Sequence, residues 1–92
     1  MKKNVELKNY EIILFPLISE KSVGMIDSQN KLTFVVNKAA TSTAVKKAIE
    51  ELYKIKVEDI KISNDLKGRK KAIVRIDKKF KAEEIATKLG II

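Results

Sequence analysis

The chain has 92 residues, 45% of them hydrophobic and 35% charged, with 20 Lys and Arg against 12 Asp and Glu and a formal net charge of +8. That length supports one domain with a modest core, hiding about 60 to 65% of the surface an unfolded chain exposes. The absence of Cys and His excludes disulfide frameworks, thiolate metal sites and imidazole or thiol catalysis, and is in keeping with a reducing, cytoplasmic setting.

Residues 1–9 are polar and mixed in charge, and Lys2 and Lys3 are followed by no apolar run of signal-peptide type. They are expected to form a flexible arm before a single domain at 10–92. Ile12, Ile13 and Leu14 predict a short edge strand ended by Pro16, because proline cannot donate to a ladder. The apolar run at 12–18 is far short of the roughly 20 residues that span a bilayer. Ser19 suits a helix N-cap and Glu20 the positive end of its dipole, which predicts a short helix to about Ile26, followed by turn formers at 27–30. Leu32, Phe34 and Val36 alternate with Thr33 and Val35, predicting a strand with one apolar face.

From Thr41 to Lys54 the period lengthens to about 3.6, with Val45, Ala48, Ile49 and Leu52 on one face. Thr41 or Ser42 caps this helix, and Glu50 and Lys54 are spaced as an i, i+4 pair. Residues 57–63 alternate again, setting Ile60 and Ile62 apart from Asp59, Lys61 and Ser63. Residues 64–68 supply a turn, and Ala72, Val74 and Ile76 then face away from Ile73 and Arg75, so the two strands should form a hairpin. Ala82, Ile85, Ala86 and Leu89 predict a last short helix ended by Gly90. The class is α+β: a split βαβ, ferredoxin-like related domain whose mainly antiparallel sheet of three to four strands packs with helices, the hairpin's return strand inserting between its neighbours.

Paired carboxylates occur at Glu50 and Glu51, Glu58 and Asp59, and Glu83 and Glu84, but neighbours in a helix or strand diverge and do not converge as ligands. No Gly-rich phosphate loop is present, so neither an enzyme nor a metal or other cofactor is expected. Basic residues carry the functional signal. Four of the five residues at 67–71 are basic, around Gly68, and they run into the strand holding Arg75. An isolated pair would be read as solubilising charge or protection of an edge. Here the surplus extends over Lys21, Lys46, Lys47, Lys61, Lys67, Arg69, Lys70, Lys71, Arg75, Lys78, Lys79 and Lys81, which points to nucleic acid. The arginines suit bidentate phosphate contacts, while the lysines act as point charges. Phe34 and Phe80 are expected to pack in the core and Tyr53 at its rim, leaving few rings to stack on single-stranded bases. Structured RNA gripped through phosphates and 2′-hydroxyls is therefore favoured.

Residues 15–22 (FPLISEKS), 31–36 (KLTFVV), Ala40 and Thr41, 45–50 (VKKAIE) and 67–72 (KGRKKA), in this order and spacing, resemble the universal large-subunit ribosomal protein twenty-three family in its short archaeal form. The resemblance runs from Tyr10 to Gly90. It implies a small α/β structural protein bound to large-subunit rRNA beside the nascent-chain exit tunnel of cytoplasmic ribosomes, next to other ribosomal proteins. It also implies a docking point for nascent-chain factors, such as the signal recognition particle and the protein-translocation channel. By motif, Glu20 resembles the docking acid, and Lys21 an rRNA contact. The candidate RNA-binding set is thus Lys21, Ser22, Lys46, Lys61, Lys67, Arg69, Lys70, Lys71 and Arg75, and the alternative function is a free-standing RNA-binding module outside the ribosome. Ser42 and Ala44 stand where the family usually has a Lys and an acid. The 64–68 turn is shorter than the bacterial extension that enters the tunnel.

Overall fold

In the computed structural model, which describes residues 8–91, the alternating segments pair into one four-stranded antiparallel sheet. In chain order the elements are α1 Asn9–Ile12, β1 Ile13–Pro16, α2 Glu20–Gln29, β2 Lys31–Val36, α3 Ser42–Tyr53, β3 Val57–Asn64, β4 Lys70–Ile76 and α4 Ala82–Leu89. The strand order is β1-β2-β4-β3, so β4 lies between β2 and β3 as the split βαβ reading requires.

One parity of β2 and of β4 builds the core cluster. Leu32, Phe34 and Val36 of β2 and Ala72, Val74 and Ile76 of β4 are all nearly or fully buried, packed with Val45, Ala48 and Ile49 of α3 and Ala82, Ile85 and Ala86 of α4. Full burial of such side chains is worth about 1.5 to 3 kcal/mol each for the larger ones, which makes this layer the main source of stability. Tyr53 closes α3 with its ring stacked on Phe34, centroids 6.1 Å apart, and partial burial raises the pKa of its phenol.

The structure corrects several local expectations. Ile12 is not in the edge strand. It ends a helical turn, Asn9–Ile12, whose Asn9 Nδ2 donates to Glu51 Oε1 at 3.0 Å, and the rest of the expected arm, 1–7, lies outside the described residues. The second helix runs on through the turn formers 27–29, where the Ser28 hydroxyl is satisfied by the Gly24 carbonyl at 2.8 Å, and the real stop is Asn30 in the left-handed region, φ 55°. Glu50 is drawn away from Lys54: its Oε2 accepts from the Val57 N–H at 2.9 Å, fastening the end of α3 to the start of β3. Leu52 stands 42% exposed at the edge of its stripe rather than in the core.

Candidate nucleic-acid interface

Because the helices and the buried cluster take one face of the sheet, the opposite parity is left on a face that no helix covers among the described residues. Across it Lys31 stands opposite Arg75, Thr33 opposite Ile73 and Val35 opposite Lys71 on the β2 side. On the β3 side Arg75 faces Asp59, Ile73 faces Lys61, and Lys71 faces Ser63. Thr33 and Val35 are themselves buried, at 5% and 3% exposure, so β2 is covered on both parities rather than one; the accessible centre is the half-buried Ile73, and its surround is cationic: Lys31, Lys61, Lys71 and Arg75. Arg75 Nη1 lies 3.6 Å from Glu58 Oε1, with both side chains 40% or more exposed, a pair weak enough to exchange for a phosphate.

Phe15 joins this face through a register shift. Ile13 pairs with Val36 and is buried in the core, whereas Phe15 pairs with Val35, because an irregularity between them reverses the parity of β1. Strict alternation would have put both residues in the core. The ring is 44% exposed, and the Arg69 guanidinium carbon sits 5.9 Å from its centroid.

The turn that links β3 to β4 is held by one carboxylate. Asp65 Oδ1 accepts from the N–H groups of Lys67 and Arg69, each at 2.9 Å, and Oδ2 accepts from Arg69 Nε at 2.7 Å. The Asp65 N–H donates to the Arg69 carbonyl, the Gly68 N–H to the Asp65 carbonyl, and Gly68 takes φ 80°, a conformation that a Cβ would strain. Partial removal from water pushes the Asp65 carboxyl up, but the hydrogen bonds from Arg69 and Lys67 and the charge of Arg69 outweigh this and hold its pKa below 3.8. A carboxylate with a depressed folded pKa contributes fully above its unfolded value and loses that contribution as pH falls through the folded one. In an acid titration followed by amide NMR, the 67–69 signals are therefore expected to keep their folded positions to lower pH than an ordinary aspartate would allow. Loosening within the ordinary aspartate range or above it would contradict the assignment.

The candidate residues do not all converge. Lys61, Lys71 and Arg75 share the open face, and Lys67 and Arg69 extend it at the tip. Lys70 has the other parity. Its Nζ donates to the carbonyls of Ala40 at 2.7 Å and Lys38 at 3.3 Å, so it braces the 37–40 loop. Lys46 sits on α3 with Ser42, Glu58 and Asp59 around a shallow depression at the β3 edge, and Lys21 is exposed in the first turn of α2. Ser22 is 5% exposed. Its hydroxyl accepts from the Ser19 N–H at 2.9 Å and donates to the Leu17 carbonyl at 2.8 Å, while Ser19 Oγ accepts from the Ser22 N–H, a reciprocal cap. Ser22 thus shapes the segment that presents Glu20 rather than offering a group to a ligand. Lys31, Phe15 and Asp65 are additions to the sequence-derived set. The parity of Lys31 with Thr33 and Val35 was the available signal.

The model of the family described as ribosomal protein L23 matches residues 11–87. The chain belongs to the ribosomal protein L23 family. It is 40% identical over 82 residues to the large ribosomal subunit protein uL23 of Methanococcus aeolicus, covering 89% of this chain and 95% of that protein. Identity and coverage are the same for the large ribosomal subunit protein uL23 of Methanothermobacter thermautotrophicus. As an L23 family member it is a structural, non-enzymatic protein of the large ribosomal subunit, located with the cytoplasmic ribosome. No helix among the described residues is long and apolar enough to cross a membrane. Among them, no group of three or more Asp or Glu side chains is placed to hold a metal ion.

Proposed function

We propose that the chain binds large-subunit rRNA through the uncovered face of its sheet and the tip of the β3–β4 hairpin, gripping phosphates and 2′-hydroxyls of folded RNA beside the nascent-chain exit tunnel. The observation that carries this reading is the ring of Lys31, Lys61, Lys71 and Arg75 on a sheet face that no helix covers among the described residues, continued by Lys67 and Arg69. A rigid, doubly hydrogen-bonded strand pair holds cations at a fixed spacing, which suits a backbone path better than base readout. Ile73, half-buried at the centre of this face, gives sugar edges an apolar surface to pack on. Neighbouring ribosomal proteins complete the environment. Sucrose-gradient sedimentation of a lysate from cells making this protein tests the assembly. The large-subunit peak should retain it through moderate salt, whereas a signal confined to soluble fractions would favour a free RNA-binding module instead.

In the same reading Glu20 is the acid offered to nascent-chain factors such as the signal recognition particle and the translocation channel. It is exposed in the first turn of α2, a segment fixed by the Ser19–Ser22 cap and by the Leu17 N–H donating to the Thr33 carbonyl at 2.9 Å. Glu20→Lys is expected to leave incorporation into large subunits intact and to weaken signal recognition particle binding about tenfold or more, as reversal of a docking charge does. Unchanged binding would remove Glu20 from the docking site.

A further inference from the structure

An acidic residue at the root of a basic, phosphate-seeking turn is an anomaly on charge grounds alone, because a carboxylate near RNA repels it. We propose that Asp65 is a positioning residue for RNA binding: it fixes Arg69, plane and edge, so that the guanidinium meets a phosphate already aligned. This rests on the RNA-binding reading above and deepens it.

Three constraints act on Arg69 before any partner arrives. Its N–H is held by Asp65 Oδ1 at 2.9 Å, which sets the backbone direction. Its Nε is held by Oδ2 at 2.7 Å, which sets one edge of the guanidinium, and the Phe15 ring below the guanidinium carbon at 5.9 Å helps to set the plane. Neither Nη of Arg69 has a partner among the described residues, and the side chain is 35% exposed. The Nη pair is the end of the fork that matches two phosphate oxygens. The Asp65 side chain is only 12% exposed, and both of its oxygens are committed to the turn, so little of its charge is presented outward. Preorganised in this way, Arg69 forgoes most of the ordering cost that a free arginine meets on binding.

The test is a double-mutant cycle on the full chain, with in vitro transcribed large-subunit rRNA of Methanococcus aeolicus as the probe and thermal unfolding as the check on fold. Asp65→Ala makes the protein more positive, yet it is expected to weaken binding about three- to tenfold, the value of ordering one rotamer-rich side chain. In an Arg69→Ala background the same change should cost nothing further. Asp65→Asn keeps an acceptor for the turn N–H groups but gives up the ion pair, and should recover part of the loss. Binding of Asp65→Ala as tight as or tighter than wild type would overturn the proposal. So would an equal penalty in both backgrounds, which would assign Asp65 to hairpin shape alone. Failure of the wild type to bind is a separate outcome that removes the RNA reading itself, and the positioning role with it.

Discussion

Replacing Lys61, Lys71 and Arg75 together with Gln is expected to weaken binding of large-subunit rRNA about 100-fold near physiological salt and to lower the slope of log affinity against log salt by about 2 to 3. Each side chain is on the open face, and each phosphate that is no longer neutralised keeps its condensed counterion, which lowers the slope by about 0.7 to 0.9. The fold should survive, because Lys61 and Arg75 are exposed and Lys71 is only half-buried, none of them within the core cluster. Removing the same charge from the exposed Lys47, Lys78 and Lys88, two of them on the outer faces of α3 and α4, should change the slope far less. Equal losses from the two triple variants would mean that net charge, rather than this face, drives binding.

A large effect on stability is also expected at Asn30, a residue outside both the interface and the core cluster. It ends α2 with φ 55°, and its side chain ties three segments together. Nδ2 donates to the carbonyls of Ile76 at 3.1 Å and Phe80 at 3.0 Å, and Oδ1 accepts from the Ala82 N–H at 2.7 Å. The last of these caps α4 from a distance, since Lys81 at the N-cap makes no side-chain cap of its own. Asn30→Ala loses the cap, leaves two carbonyls without a donor and forces Ala into the left-handed region, together about 3 to 4 kcal/mol. For a domain of this size that is a fall in Tm of about 15 to 25 °C. Asn30→Gly, which keeps the backbone conformation available, should cost about 1 kcal/mol less. Thermal and urea unfolding check both, and a loss below about 1 kcal/mol for Ala would show that the junction holds without this side chain.

Periodicity made the core layer legible in the sequence. The two-residue period of Leu32, Phe34 and Val36 and the 3.6-residue period of Val45, Ala48 and Ile49 each name one face, and the structure buries those faces against each other. The place of β4 between β2 and β3 followed from the hairpin and the crossover. Register was less legible. The irregularities in β1 and β3 reverse parity without a mark in the residue types, so Phe15 went unplaced, and Val57 joins the core although it shares odd numbering with the outward Asp59 and Lys61. Basic composition pointed to a polyanion but could not tell a presented charge from a committed one. Lys70, singled out for RNA, is spent on two carbonyls, while Lys31, passed over, stands on the open face. The role of Asp65 lies in three hydrogen bonds within a turn of a few residues, and no pattern of residue types announces which atoms such a turn will pair.

Contact between the open sheet face and the rRNA is measured most directly by RNA–protein crosslinking in purified large subunits, with the adducts mapped by mass spectrometry. Adducts are expected in the peptides of β4 and of the 65–69 turn, with Phe15 and Lys61 among the modified positions. Adducts confined to α3 and α4, with the peptides of β3 and β4 free of RNA, would contradict this expectation.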